Sequence, residues 1–168
     1  MVQMKERRTA YHEAAHAVVA RVLGLTCGEV SIVKSFEDGT AGHAIIEDPS
    51  VILKHWGAQG FRLDAKRVMR RRIMAVMAGR EIEILHYGFC LGGDTDDQRQ
   101  IAMMANSANF DAETLAIFKK ATVALCRKYQ PIIDALALDL QKRERIEGYE
   151  VDAFVKGRKA ELFRGPQA

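Results

Sequence analysis

The chain has 168 residues, of which 48% are apolar and 28% are charged, with 25 Lys and Arg against 22 Asp and Glu. This profile is typical of one soluble globular domain that buries a core without disulfides or structural metal. The formal charge of +3 is too small to predict nucleic-acid binding, and no apolar run is long enough to predict a membrane span or a signal peptide. We therefore expect one cytoplasmic domain over 1–168, with flexible ends at 1–7 and 164–168 and neither nucleic acid nor membrane as a partner.

Several motif classes are absent from the sequence. It contains no G-x-G-x-x-G, no P-loop and no G-x-S-x-G, so nucleotide hydrolysis and a serine nucleophile have no support. The three cysteines, Cys27, Cys90 and Cys126, are odd in number and far apart in the chain. This spacing predicts reduced, mostly buried thiols and neither disulfides nor a cysteine zinc site.

The first third of the chain predicts a helix followed by a β-hairpin. Apolar residues recur at helical spacing from about Arg8 to Leu23, and Gly24 stands where a glycine would end the helix. β-branched residues then alternate over Glu29–Lys34, turn residues follow at Glu37–Gly39, and Ala41–Ile46 is again strand-like. We expect these two segments to pair as antiparallel strands.

The rest of the chain is predicted to be helical after a loop over 47–60. Apolar periodicity places helices at about 63–87, 95–108, 112–128, 132–143 and 151–163. The second of these follows the Gly92-Gly93 break, and Thr95 with Gln98 has the form of a capping box. Pro131 is expected at the N-terminal turn of the fourth. The fold class is therefore mainly α, as an α+β domain with one small sheet.

The chemistry-bearing segment is His12-Glu13-Ala14-Ala15-His16. On a helix, positions i and i+4 share one face, so His12 and His16 can offer their imidazole nitrogens to one metal ion. Zinc held by three protein groups keeps a further position for water and lowers the pKa of that water. Glu13, rotated by one residue, is placed to take its proton. The pattern predicts a zinc-dependent peptide hydrolase.

Zinc needs a third protein ligand, and spacing alone does not choose it. For the aspartates, capping of a helix N-terminus is the alternative, and for Glu83 it is a solvated or paired surface acid. For His43 the alternative is a strand residue facing solvent, and for His86 a cation at a helix C-terminus. The candidates are His43, Glu83, His86, Asp94, Asp96 and Asp97.

Four segments, in order along the chain, resemble the peptidase domain of the FtsH-type ATP-dependent zinc metallopeptidases. Residues 9–17, TAYHEAAHA, are similar to that family's A-Y-H-E-A-G-H-A helix, and residues 78–83, AGREIE, to its G-G-R-x-x-E. Residues 92–97, GGDTDD, resemble its T-G-A-x-N-D-L segment, and the tail over 140–151 resembles L-L-E-K-E-T-L-D-G-E-E-V. The resemblance implies a helical metallopeptidase domain with a small β-hairpin beside the H-E-x-x-H helix.

The same resemblance implies roles for individual residues. His12, His16 and Asp97 would hold Zn²⁺, Glu13 would be the general base, and Glu83 would orient a ligand histidine. The segment Gly42-His43-Ala44 falls where the family has a strand beside the catalytic cleft, and a substrate peptide could pair with that edge.

Departures from the family bear on partners and activity. No ATPase or transmembrane segment accompanies the resemblance, so the partners expected are a polypeptide substrate, a separate ATPase acting in trans and further copies of the chain. Ala15 replaces the motif glycine, Asp96 an asparagine and Gln98 an apolar residue.

The leading hypothesis is a zinc metalloendopeptidase that cleaves unfolded or flexible polypeptides. The alternatives are a catalytically degenerate binding or regulatory module that keeps the metal site, and a nucleic-acid binder using the block 70–72. A solvated helix face is the plainer interpretation of that arginine block.

Overall fold

The computed structural model describes residues 2–34, 41–60, 64–90 and 94–163. These ranges contain six helices and three strands, and the predicted mainly helical α+β class is confirmed. The turn at 37–39, the Gly92-Gly93 break and the end at 164–168 lie outside the described residues. The elements are α1 (Val2–Val22), β1 (Cys27–Ser31), β2 (His43–Ile46), α2 (Pro49–Ala58), α3 (Ala65–Tyr87), α4 (Thr95–Ala108), α5 (Ala112–Arg143), β3 (Arg145–Ile146) and α6 (Gly148–Phe163).

Helix α1 is the centre of the fold. Every residue from Ala10 to Ala20 is buried, and α3 and α5 both pack against this helix. The helix begins at Val2, six residues before the predicted start, so residues 2–7 are helical. It ends at Val22, just before the predicted stop at Gly24, whose φ of +80° lies in the left-handed region that glycine adopts without steric cost. Because α1 is buried from Ala10 to Ala20, the polar side chains of that stretch, His12, Glu13 and His16, lie in the interior.

The small sheet has the order β2-β1-β3, and both pairings are antiparallel. The predicted hairpin is confirmed, with Val30 opposite Ala44, and it contacts α1 as expected. The sequence does not predict β3, because its two residues, Arg145 and Ile146, are too few to show an alternating pattern of polar and apolar side chains. Strand β2 lies at one edge of the sheet, beside the helix that carries His12 and His16.

The prediction of a loop over 47–60 is wrong, because Pro49–Ala58 form α2. The side chain of Asp48 accepts a hydrogen bond of 2.7 Å from the Ser50 amide, and Pro49 follows as the first helical residue, where its missing N–H costs nothing. Ile52 packs into a cluster with Val68 of α3. The apolar face of α2 is too short to show a clear period in the sequence.

The prediction of two helices over 112–143 is also wrong. Helix α5 is continuous, with Pro131 inside it. Proline removes one backbone hydrogen bond and crowds the preceding turn, which favours a break. Tyr129 before it and Ile132 and Leu136 after it are buried in the same core cluster, and this burial offsets the local cost.

The capping box predicted at Thr95 is wrong as well. Thr95 is the first helical residue of α4, and Asp94 occupies the cap position without a side-chain cap hydrogen bond. The Gln98 side-chain amide donates to Asp94 Oδ2 at 2.7 Å, so Gln98 contacts the cap residue through its carboxylate.

The three thiols are free, as predicted, with Cys27 and Cys126 buried and Cys90 partly buried. Burial raises the pKa of Cys27 and of Cys126 to about 12, so both remain protonated at neutral pH. No helix within the described ranges is both long and apolar enough to cross a membrane.

Candidate metal centre

Helix α1 presents His12 and His16 one turn apart on the same face, as their spacing predicts. Their ring centroids lie 4.6 Å apart, and the residues are 7% and 5% exposed. Helix α4 brings Asp97 to them in its first turn. Asp97 Oδ2 lies 3.0 Å from His12 Nε2 and 3.2 Å from His16 Nε2. The three ligand atoms lie within 4.8 Å of one another, so this group could hold a metal ion.

The second nitrogen of each histidine is fixed by an oxygen acceptor. His16 Nδ1 donates to the carbonyl oxygen of Ala75 at 2.8 Å, and His12 Nδ1 lies 2.8 Å from Glu83 Oε1. Because a carbonyl oxygen can only accept, the Nδ1 of His16 carries the proton and its Nε2 is left to face Asp97. Helix α3 thus orients both imidazoles for ligation through Nε2. Glu83 contacts His12, the kind of contact that the resemblance to the FtsH-type domains implies for it.

Arg8 completes this arrangement, and sequence reasoning missed it. Its guanidinium donates to Glu83 Oε2 at 2.8 and 3.2 Å and to the Phe89 carbonyl at 2.8 Å. Burial opposes ionisation of Glu83, but the hydrogen bonds from His12 and Arg8 hold the pKa of this carboxyl below its ordinary value. The sequence did contain a signal for this role, because Arg8 lies one helical turn before His12 on the same face of the helix.

Gly79 of α3 lies directly against the two imidazoles. A Cβ atom at this position would be 2.5 Å from His16 Nε2 and 2.6 Å from His12 Nε2, closer than carbon and nitrogen can approach. The close approach of α3 to α1 therefore requires glycine here. The sequence placed Gly79 in a motif without assigning it a function.

Glu13 lies beside the three candidate ligands, in the wall of the same cleft. It is 7% exposed, and burial raises the pKa of its carboxyl. Within the described part of the chain, no side chain or backbone amide donates a hydrogen bond to it. Its oxygens are therefore available to a water or ligand that enters the cleft.

The cleft has a volume of about 830 Å³ and is formed by α1, β2, α3 and α4. Gly42, His43 and Ala44 all contribute to its lining. A Cβ atom at Gly42 would lie 2.7 Å from the Ser31 carbonyl oxygen, so the strand approaches its neighbour too closely for a side chain there. His43 itself is 3.0 Å from Glu29 Oε1 and is not part of the ligand group.

The other candidate ligands have different partners. His86 Nε2 lies 3.1 Å from Asp134 Oδ1, Asp94 accepts a hydrogen bond of 2.6 Å from Arg80, and Asp96 pairs with Arg99. Among the residues that the sequence left open as the third ligand, the structure brings Asp97 to both histidines.

Comparison with known proteins assigns no family. No protein-family model matches the chain, and no curated protein matches it.

The protonation of the metal-free centre gives a first prediction. Burial acts to lower the pKa of His12, but hydrogen bonds to Asp97 and Glu83 outweigh it and raise this pKa to about 10. We expect His12 to be cationic at pH 8.5 without metal. The stability it contributes to the metal-free protein is complete below about pH 6.5, its unfolded pKa, and is lost as the pH rises through 10.

Nitrogen-15 NMR of the imidazole rings measures this protonation directly. Added zinc should displace the proton from Nε2, so the His12 ring should become a neutral ligand at pH 8.5. A His12 ring that is already neutral at pH 8 in the metal-free protein would contradict the prediction.

Proposed function

We propose that this protein is a zinc-dependent metalloendopeptidase that hydrolyses peptide bonds in unfolded or flexible polypeptides. The observation that carries the proposal is the convergence of His12 Nε2, His16 Nε2 and Asp97 Oδ2, with the carboxyl of Glu13 beside them. This is the activity of the FtsH-type peptidase domains that the sequence resembles.

The donor set supports zinc as the metal. Two imidazole nitrogens and one carboxylate oxygen suit zinc, and three protein ligands are typical of catalytic sites, which keep a further position open. The hydrogen bonds from the Nδ1 atoms to Glu83 and Ala75 are the outer contacts that zinc-ligating histidines generally make. When bound, zinc would polarise the peptide carbonyl and lower the pKa of the attacking water.

Glu13 would move the proton in this reaction. Its carboxylate would accept a proton from the attacking water and then deliver it to the nitrogen of the departing amine. A carboxyl whose pKa burial has raised is a better base than an exposed one and releases its proton closer to neutral pH. None of the described residues donates a hydrogen bond to the Glu13 oxygens, so no protein group competes with the attacking water for them.

The substrate would bind as an extended strand along β2. This strand lies at the edge of the sheet, and Gly42, His43 and Ala44 line the cleft that holds the metal ligands. An extended peptide pairing with a sheet edge forms backbone hydrogen bonds irrespective of its sequence. Because only an extended segment can pair in this way, the substrate class is unfolded or flexible polypeptide. A separate ATPase and an oligomeric ring, if they act with this chain, would serve to deliver such segments.

Hydrolysis of casein tests the proposal. Casein is already unfolded, so no ATPase is needed to present it. We expect cleavage by the zinc-loaded protein, loss of cleavage after treatment with a chelator, and recovery when zinc is restored. Stoichiometric zinc without cleavage of any unfolded substrate would contradict the peptidase function and favour a binding module that retains the metal site.

A further inference from the structure

Arg72 lines the cleft but is neither one of the candidate metal ligands nor one of the residues that orient them. Arg72 belongs to the basic block that the sequence predicts to be solvated, and this prediction is wrong for Arg72, which is half-buried and lines the cleft. Arg72, Val76, Gly79 and Glu83 recur at i, i+4, i+7 and i+11 on α3 and therefore share one face. The face of α3 that contacts the ligand histidines thus continues to Arg72.

Arg72 has no carboxylate partner within ion-pair distance among the described residues. Its Nη2 donates to Gln100 Oε1 at 3.2 Å, and this is the hydrogen bond that holds the guanidinium in place. Asp48 and Asp97 lie near enough to favour its charge but do not pair with it. The other cleft arginine, Arg8, is by contrast bound at two nitrogens by Glu83.

The half-buried guanidinium of Arg72 keeps N–H donors that could bind a ligand. Burial lowers the pKa of Arg72, because the nearby charges of Asp48 and Asp97 only partly offset the cost of removing its guanidinium from water. A guanidinium has several N–H donors arranged as a planar fork, and one of them is used by Gln100. The remaining donors match the two oxygens of a carboxylate.

We propose that Arg72 is a substrate-binding residue that receives a carboxylate of the peptide; this inference rests on the proposed peptidase function. Arg72 and Gly79 are seven positions apart, which is about 10 Å along the helix axis. An extended peptide advances about 3.3 Å per residue. For a peptide that runs parallel to α3, the carboxylate therefore belongs about three residues from the bond that lies at the metal centre.

Two sources could supply this carboxylate. One is the side chain of an Asp or Glu within the substrate, which would give a preference for acidic sequences. The other is the C-terminal carboxylate, which would direct cleavage to the end of a chain. Both sources present the same group to Arg72, and peptides can separate them.

Peptide binding to the zinc-loaded Glu13→Gln protein tests the inference without hydrolysis. One series of fluorescent peptides carries a single Glu at successive positions, each paired with its Gln counterpart, and a second series pairs a free C-terminus with its amide. In one of the two series, we expect the carboxylate peptide to bind at least about tenfold more tightly than its uncharged counterpart. A charge-assisted hydrogen bond contributes a free energy of this size. Fluorescence anisotropy measures both series.

Two substitutions of Arg72, and one of an exposed arginine as a control, complete the test. Adding Arg72→Gln should bring the affinity ratio of carboxylate to amide peptides close to one, and Arg72→Lys should retain part of it. Arg67→Gln, an exposed arginine on the same helix, should keep the full ratio. Circular dichroism and zinc content verify that each variant is folded.

The outcomes separate this inference from the peptidase function. An unaltered ratio in Arg72→Gln, or no carboxylate preference in either series, would overturn the assignment of Arg72. Hydrolysis of casein together with no preference would refute the carboxylate site alone. A preference that depends on Arg72 in a protein that cleaves nothing would support the site and contradict the peptidase function.

Discussion

Glu13→Gln is expected to reduce peptide hydrolysis about 100- to 10,000-fold while the protein keeps its metal, since general acid–base catalysis contributes a factor of this size. Glutamine has nearly the same shape but cannot accept a proton from water. The carboxyl lies beside the metal ligands without being one of them, so metal content should not change. The rate of casein cleavage and the zinc content of the same preparation measure both parts of the prediction.

Glu81→Gln provides the matched control. Glu81 is also a buried glutamate of the described core, at 5% exposure, but it pairs with Lys119 at 3.6 Å and does not line the cleft. This variant should cleave casein at close to the original rate. Retention of full hydrolysis by Glu13→Gln, with folding and zinc intact, would exclude Glu13 as the base.

Gly79→Ala is expected to weaken zinc binding about 100-fold, the upper end of the range seen when contacts behind metal ligands are changed. The added methyl would stand 2.5 and 2.6 Å from the two Nε2 atoms, so either the imidazoles must turn away or α3 must move from α1. Either response would move the ligand atoms apart, and a metal site needs its ligand atoms placed to within about 0.5 Å. Zinc affinity by competition with a chromophoric chelator measures the loss.

Gly157→Ala separates this steric effect from the general effect of replacing a helical glycine. Gly157 lies in α6, and nothing stands within 4 Å of a Cβ atom built there. Alanine at this position should leave zinc affinity unchanged and stabilise the fold by about 0.5–1 kcal/mol. Zinc affinity in Gly79→Ala equal to that of the original protein would show that the imidazoles do not bind the metal where the structure places them.

Local sequence was sufficient for part of the site. The i, i+4 spacing of His12 and His16 on an apolar helix determines their common face, and the structure places them as expected. Asp97 could not be chosen from spacing, because it lies 85 positions after His12. Its contact with the histidines depends on how α4 packs against the rest of the fold. The resemblance, and then the geometry, distinguished Asp97 from its acidic neighbours.

The residues that sequence reasoning missed act through tertiary contacts. Arg8 reaches Glu83 across 75 positions, and Gly79 is needed because two helices meet at that point. The sequence predicts Arg72 to be solvated together with its neighbours, because a run of basic residues does not show which one faces a cleft. The same limit explains the fold errors, since the packing of α2 and the buried residues around Pro131 override the local signals.

Metal analysis of the protein purified without chelator tests the central claim most directly. The account predicts one zinc ion per chain in the original protein and none in Asp97→Ala, together with a rise in Tm when zinc is returned to the stripped original protein. Circular dichroism of Asp97→Ala provides the folding control. A metal-free protein whose Tm does not respond to added zinc would contradict the proposal that His12, His16 and Asp97 form a metal centre.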